Sequence, residues 1–201
     1  MKGKFASLAA ILSSAILLNG CGPIASFFPL YKPNDRAFDT GLLGTWKLEK
    51  PDSNNPDDKN TRWTFAKSED ENFYDFKWGT AGAKGGFLAK ARLTTIGSSL
   101  FADFEGDTGN KVLEDTMMPF PVMSVHMMGR VWLGKDSLEI HFLKDDWVKE
   151  RIKAGSLPLS RLGENGDLIL TASTDELRKF MQEHAEDEDA LSENYKFVRE
   201  K

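Results

Sequence analysis

Residues 87–105 read FLAKARLTTIGSSLFADFE, and apolar and polar side chains alternate through most of this stretch. Its apolar positions are Phe87, Ala89, Ala91, Leu93, Leu100, Ala102 and Phe104. The polar positions between them are Lys90, Arg92, Thr94, Asp103 and Glu105. A period of two is the pattern of a β-strand with one buried face, because successive side chains point to opposite sides of the sheet. The stretch therefore predicts strands that bury one face in a core.

The same alternation continues on both sides, from Gly41 to about Thr171. Turn-forming segments divide it at Pro51–Asn60, Gly79–Gly86, Gly106–Asn110, Gly134–Asp136 and Gly163–Asp167. Such punctuated alternation is typical of an antiparallel sheet, sandwich or barrel. About eight strands in one domain favour a closed barrel, because closure leaves no free strand edge. The predicted fold is mainly β, an antiparallel barrel.

One or two short helices are expected beside the strands. Residues Asp145–Ala154 precede Gly155, which suits a helix C-terminus. The sequence Ser173-Thr174-Asp175-Glu176 matches a capping box and predicts a helix to about His184. Tyr195–Val198 is predicted as a final strand.

Composition and charge narrow the class of protein. The 201 residues are 40% hydrophobic, which suits one packed domain. Lys and Arg number 26 against 31 Asp and Glu, a net charge of −5, and binding to nucleic acid would require an excess of positive charge. One cysteine excludes an internal disulfide.

The N-terminus has the three parts of an export signal. Lys2 and Lys4 precede the apolar run Phe5–Leu18, and small or polar residues follow it. As a helix the run is about 21 Å long, short of the roughly 30 Å of bilayer hydrocarbon. Residues 1–20 are therefore predicted to be a cleaved signal peptide.

Leu18-Asn19-Gly20-Cys21 resembles the lipobox of bacterial lipoproteins. The resemblance implies lipidation of the Cys21 sulfur with a diacylglycerol, cleavage after Gly20, and acylation (for example with palmitate) of the new amino group. Two or more acyl chains hold a protein stably at a membrane, whereas one chain binds marginally. Position 22, directly after the cysteine, is Gly. It is not Asp, the residue that would resemble an inner-membrane retention signal at this position. The expected location is the cell membrane or the outer membrane, facing the periplasm or the exterior.

Residues 21–40 are predicted to be a lipidated tether, and residues 41–201 the barrel domain with its C-terminal helix. The tether contains three prolines and the apolar residues Ile24, Phe27, Phe28, Leu30 and Tyr31. These residues are too apolar for a freely solvated linker, so part of the tether is expected to dock on the domain or at the membrane surface, and docking on the domain is favoured. Without Lys2 and Lys4 the mature chain has 24 basic and 31 acidic residues, a balance of −7.

Gly44-Thr45-Trp46, on the first predicted strand, resembles the G-x-W motif of lipocalins and their calycin relatives. The resemblance implies that Trp46 packs across the barrel floor with a late arginine stacked on it, for which Arg161 and Arg199 are the candidates. The second lipocalin motif is not visible. More loosely, the chain is similar to bacterial lipoproteins with one barrel-like domain.

The leading functional hypothesis is non-enzymatic binding of a small hydrophobic or amphipathic ligand inside the barrel. The aromatic residues Trp63, Phe65, Phe76 and Phe87 would line the site, and Ala89, Ala91 and Ala102 would leave space. The alternative is a structural or assembly lipoprotein that binds another envelope protein through apolar residues around Met117–Met128.

Metal and catalytic chemistry find little support. His126, His141 and His184 have no metal-ligand spacing and are interpreted as surface residues. Five methionines cluster at Met117, Met118, Met123, Met127 and Met128; thioethers suit Cu(I), but unbranched methionine also suits core packing or a pocket mouth. No catalytic residue, metal ligand or cofactor is predicted.

Overall fold

Eight antiparallel strands close into a barrel in the computed structural model, which describes residues 23–35, 37–52, 57–82, 86–106, 124–163, 168–192 and 195–201. The barrel strands are β2 (Gly44–Leu48), β3 (Thr61–Lys67), β4 (Tyr74–Thr80), β5 (Phe87–Ile96), β6 (Ser99–Gly106), β7 (His126–Leu133), β8 (Ser137–Phe142) and β11 (Tyr195–Arg199). From β2 to β8 each strand pairs with the next, and β11 pairs with both β8 and β2. The predicted antiparallel barrel is confirmed.

Three two-residue strands extend the sheet outside the barrel. They are β1 (Ala25–Ser26), β9 (Arg161–Leu162) and β10 (Ile169–Leu170). Strand β1 pairs antiparallel with β7 and parallel with β10, and β10 pairs antiparallel with β9. The stretch of chain before the barrel therefore contributes a strand, β1, to the sheet.

Two helices, α1 (Asp145–Lys153) and α2 (Thr174–Glu183), lie in the long connection between β8 and β11. The sequence predicted both, and their ends follow from local chemistry. Gly155, with a φ of +63°, follows the C-cap of α1. At the start of α2, Ser173 Oγ accepts from the Glu176 N–H at 3.4 Å, and the Glu176 carboxylate accepts from the Ser173 N–H at 2.8 Å. The predicted capping box is confirmed.

The buried apolar residues form two cores on opposite sides of the barrel wall. The inner core holds the aromatic side chains of the barrel, including Trp46, Phe65 and Phe197. The outer core lies against the other face of β5, β6 and β7, where Phe101 and Met128 cluster with apolar residues of α2 and of residues 23–35. Both faces of these central strands are therefore buried, because the β8–β11 connection and residues 23–35 pack over the outer one.

Candidate functional site

The connections differ greatly in length between the two ends of the barrel. At one end they comprise residues 49–60, 81–86, 107–125 and 143–194, whereas at the other the β3–β4, β5–β6 and β7–β8 connections are residues 68–73, 97–98 and 134–136. The first end is called the open end here and the second the closed end. Loops that surround one end of a rigid barrel are the usual place for a binding site.

A cleft at the open end is almost wholly apolar. The cleft is small: the volume that the centre of a water molecule can occupy in it is about 20 Å³. The residues that line it are Pro23, Trp63, Phe76, Trp78, Phe87, Phe104, Met127, Phe142 and Tyr195. Burial, with the negative charge of Asp58, raises the pKa of the Tyr195 hydroxyl above its ordinary value, so Tyr195 is neutral near pH 7. The cleft therefore offers rings and methylene groups, and no charge, to whatever enters it.

Three of the four residues predicted to line a ligand site meet at this cleft: Trp63, Phe76 and Phe87. The Trp63 and Phe76 rings lie 5.2 Å apart, edge to face. Phe65 lies elsewhere, with 1% of its surface exposed and its ring packed on Phe76 at 5.0 Å.

Sequence reasoning missed several lining residues, although the signal was present. Trp78 lies two positions beyond Phe76 on the same face of β4, and 38% of its surface is exposed at the rim. Tyr195 and Phe142 stand where β11 begins and β8 ends. Only the closure of the barrel shows that these strand ends meet. Pro23 could not have been found from periodicity, because it precedes the first strand.

The expectation of an enclosed ligand space beside the alanines is wrong. Ala89, Ala91 and Ala102 face the interior and are buried, but aromatic rings occupy the space next to them. In the strand register Phe76 stands opposite Ala89, and Phe104 opposite Ala91. A small residue beside a large one lets neighbouring strands fill the core at normal density. The alanines make room for phenylalanine rings, and the apolar cleft described above lies at the open end instead.

The closed end is sealed by a tryptophan and an arginine. Trp46 is fully buried and donates through Nε1 to the Leu42 carbonyl at 2.9 Å. Arg199 stacks on its ring with 4.1 Å between the guanidinium carbon and the ring centre. Of the two candidate arginines, Arg199 makes this contact, whereas Arg161 is exposed on β9. Access to the interior is therefore a property of the open end.

The N-terminal segment, defined here as residues 23–35, docks on the outer wall. Ile24 and Leu30 are buried, as expected from their apolar character, while Phe28 is 47% exposed. The Leu30 N–H donates to Asp103 Oδ2 on β6. This bond joins positions that are 73 residues apart in the chain.

The prediction that the histidines lie on the surface is wrong for His126. Only 6% of its surface is exposed, and its Nδ1 lies 2.7 Å from Asp103 Oδ1. The reason is that Tyr31 and the rest of the N-terminal segment cover this face of β7. Burial by itself would lower the pKa of His126, but the hydrogen bond and charge of Asp103 outweigh it and raise the pKa. His141 and His184 are partly exposed.

A second group of polar residues fixes the far end of the N-terminal segment. Arg178 on α2 donates to the Leu30 carbonyl at 3.0 Å and pairs with Asp35 at 2.6 Å. Thr94 Oγ1 also donates to Asp35, and Arg92 donates to the carbonyls of Pro33 and Asp35. Burial would raise the pKa of Asp35, but its hydrogen bonds with Thr94, Lys32 and Arg178 hold it below the ordinary value. The segment is thus bound to both the barrel and α2.

The methionine cluster is only partly within the described residues. Met117, Met118 and Met123 lie outside them, as does Cys21. Met127 lines the cleft, whereas Met128 is buried in the outer core. Successive residues of β7 point to opposite faces, so these two thioethers do not converge on one ion. Among the residues that the structure describes, no group of three or more His, Cys, Asp or Glu could hold a metal ion.

Within the same residues, no helix has both the length and the apolar character needed to span a bilayer. No protein-family model matches the chain, and comparisons with curated proteins and with solved structures give no match either.

Proposed function

We propose that this protein is a membrane-anchored lipoprotein of the cell envelope that binds a small hydrophobic or amphipathic molecule without catalysing a reaction. The observation that carries the proposal is the apolar cleft at the open end of the barrel. Its rim residues Trp78 and Phe87 are accessible, while Trp63 and Phe76 form a buried floor. Aromatic side chains at such a rim bind apolar groups through large contact areas.

The size of the cleft limits the part of the ligand that enters. The centre of a water molecule can move through only about 20 Å³ of the cleft, which is little more than a single bound water molecule needs. The proposed ligand therefore inserts one narrow apolar end, such as the end of an alkyl chain. Its polar end, if it has one, stays among the loops of the open end.

The membrane anchor is proposed from the lipobox, with Cys21 as the lipidated residue. The location that follows is the cell membrane or the outer membrane, with the barrel facing the periplasm or the exterior. We also propose that the domain is lipocalin-like. Two features support this: neighbouring strands of the closed barrel are antiparallel, and Arg199 stacks on Trp46 of the Gly44-Thr45-Trp46 motif.

The binding proposal is tested on residues 22–201 produced without the lipid anchor, so that no membrane or detergent competes for the ligand. Decanoate brominated at its terminal carbon serves as the probe, because bromine quenches nearby tryptophan fluorescence. We expect saturable quenching, and loss of most of it in the Phe87→Ala variant. Phe28→Ala is the matched control, because Phe28 is exposed and lies outside the cleft.

Equal quenching in both alanine variants would contradict the cleft as the binding site. The anchor is tested separately, by the mass of the full protein expressed in a bacterium. The expected product begins at Cys21 and carries the mass of a diacylglycerol, with or without a further acyl chain. An intact initiator methionine or an unmodified Cys21 thiol would contradict it.

A further inference from the structure

We propose that the open end of the barrel faces the lipid bilayer and that an apolar surface beside the cleft rests on it. The inference rests on the proposed lipidation of Cys21, and it assigns a membrane-contact role to residues outside the cleft. The occupant of this surface is the bilayer that holds the anchor.

The chain between the proposed anchor and the domain is short. Pro23 is among the residues that line the cleft, and only Gly22 separates it from Cys21. Two residues span at most about 7 Å, even fully extended. The glyceride on Cys21 therefore leaves the domain beside the cleft, and the open end is held close to the membrane.

The N-terminal segment is not a flexible linker, because it is bound to the domain. It pairs with β7 and β10, and Asp103, Arg92 and Arg178 hold its backbone. A flexible linker would allow the domain to turn in any direction above the bilayer. A docked segment instead transmits the position of the anchor to the barrel, so the domain has a preferred face.

A row of apolar residues leads outward from the cleft. Met127 pairs with Ala25, Ala25 with Ile169, and Ile169 with Leu162. Residues paired in register point to the same face of a sheet, so these four side chains form a row across β7, β1, β10 and β9. Neighbouring strands are about 4.8 Å apart, so the row extends roughly 14 Å from Met127 to Leu162.

The row ends in the most exposed large apolar side chain among the described residues. Leu162 has 58% of its surface exposed, and Trp78, on the rim of the cleft, has 38%. An apolar surface of this kind on a soluble domain marks a contact with a partner or a membrane. Because the anchor lies at the same end, the bilayer is the partner that reaches it first.

The proposed contact does not depend on positive charge. The mature chain as a whole carries a balance of −7, so its net charge does not attract it to anionic lipids. Burial of the apolar surface in the bilayer and the covalent lipid on Cys21 hold the domain at the membrane. Accordingly, the contact is expected to persist in high salt.

The test uses the full lipoprotein in vesicles of phosphatidylethanolamine and phosphatidylglycerol. The lipid occupies the sulfur of Cys21, the chain's only cysteine, so an introduced cysteine is the only free thiol. A nitroxide is attached to Leu162→Cys, and its accessibility to oxygen and to a water-soluble nickel chelate is measured. Lys135→Cys is the matched control, because Lys135 is an exposed residue at the closed end of the barrel.

We expect the oxygen-to-nickel accessibility ratio to be several-fold higher for the label at position 162 than for the label at position 135, with no loss in high salt. Equal ratios at the two positions would overturn the proposal. A label at position 162 that neither reagent reaches would indicate a protein partner and would also overturn it. Mass measurement before labelling separates this failure from that of the anchor, since it reports whether Cys21 is lipidated.

Discussion

Arg199 covers Trp46 at the closed end of the barrel, with its guanidinium carbon 4.1 Å from the centre of the indole ring. The same guanidinium donates to the carbonyl oxygens of Leu43, at 2.7 Å, and Gly41. It therefore joins the last strand to the turn that precedes the first barrel strand. An arginine has the flat shape and the several donors that these contacts require together.

Arg199→Lys should destabilise the protein by about 1–3 kcal/mol, because a lysine cannot stack and bridge two carbonyl groups at once. The free energy of unfolding in urea is the measurement. Arg161→Lys is the control, since Arg161 is exposed on β9 and is expected to tolerate the change. Equal stability of the two variants would show that the contact does not seal the barrel.

Ala89→Leu should also destabilise the protein, by about 1–3 kcal/mol, because the larger side chain overpacks a filled interior. Ala89 is buried opposite Phe76. Thermal unfolding of this variant is compared with that of Ala81→Leu, at an exposed position in the β4–β5 connection. A barrel with a large empty interior would instead accept the leucine without loss.

Asp35→Ala should loosen the N-terminal segment. The change removes the hydrogen bonds of Asp35 with Arg178 and Thr94 and leaves the arginine without its carboxylate. Hydrogen bonds to charged groups contribute about 1.5–3 kcal/mol, so amide exchange in residues 24–35 should accelerate roughly 10-fold or more.

The control for that experiment is Lys32→Ala, which removes an exposed ion pair between Lys32 and Asp175. This pair also connects the segment to α2, but exposed pairs contribute at most about 1 kcal/mol. Exchange should therefore change little. Similar acceleration in both variants would mean that the buried network is not what fixes the segment.

The stability of the fold should fall as pH rises through the titration of His126. The pKa of His126 is raised in the folded protein, so its protonated form stabilises the fold. This contribution is fully present below the unfolded value of about 6.5 and is lost as pH rises through the raised folded pKa. Urea unfolding at a series of pH values should show it as a fall in stability across that window.

The matched variant for the pH series is His126→Gln, which keeps a side chain able to donate to Asp103 but does not titrate. The part of the fall that is due to His126 should vanish in this variant, while contributions from other groups remain. An unchanged pH dependence would assign the fall to those other groups.

Much of the fold could be predicted because its signals are local. The alternation around Phe76 and Ala89 specifies strands, and the capping box at Ser173 specifies where α2 begins. Three of the four predicted lining residues meet at the cleft for the same reason, because inward faces follow from a period of two. Period alone does not show how deep in the barrel a residue lies, and Phe65 is accordingly a core residue.

The alternation of the strands, the starts of the helices and the resemblance of residues 18–21 to a lipobox can all be read from the chain, since each depends on residues close together in it. The packing of aromatic rings in the interior, the burial of His126 and the position of Pro23 at the open end of the barrel became visible only in three dimensions. These facts depend on contacts between distant segments, such as Leu30 with Asp103. The periodicity of residues adjacent in the sequence does not show which face of a strand a distant segment of the chain will cover.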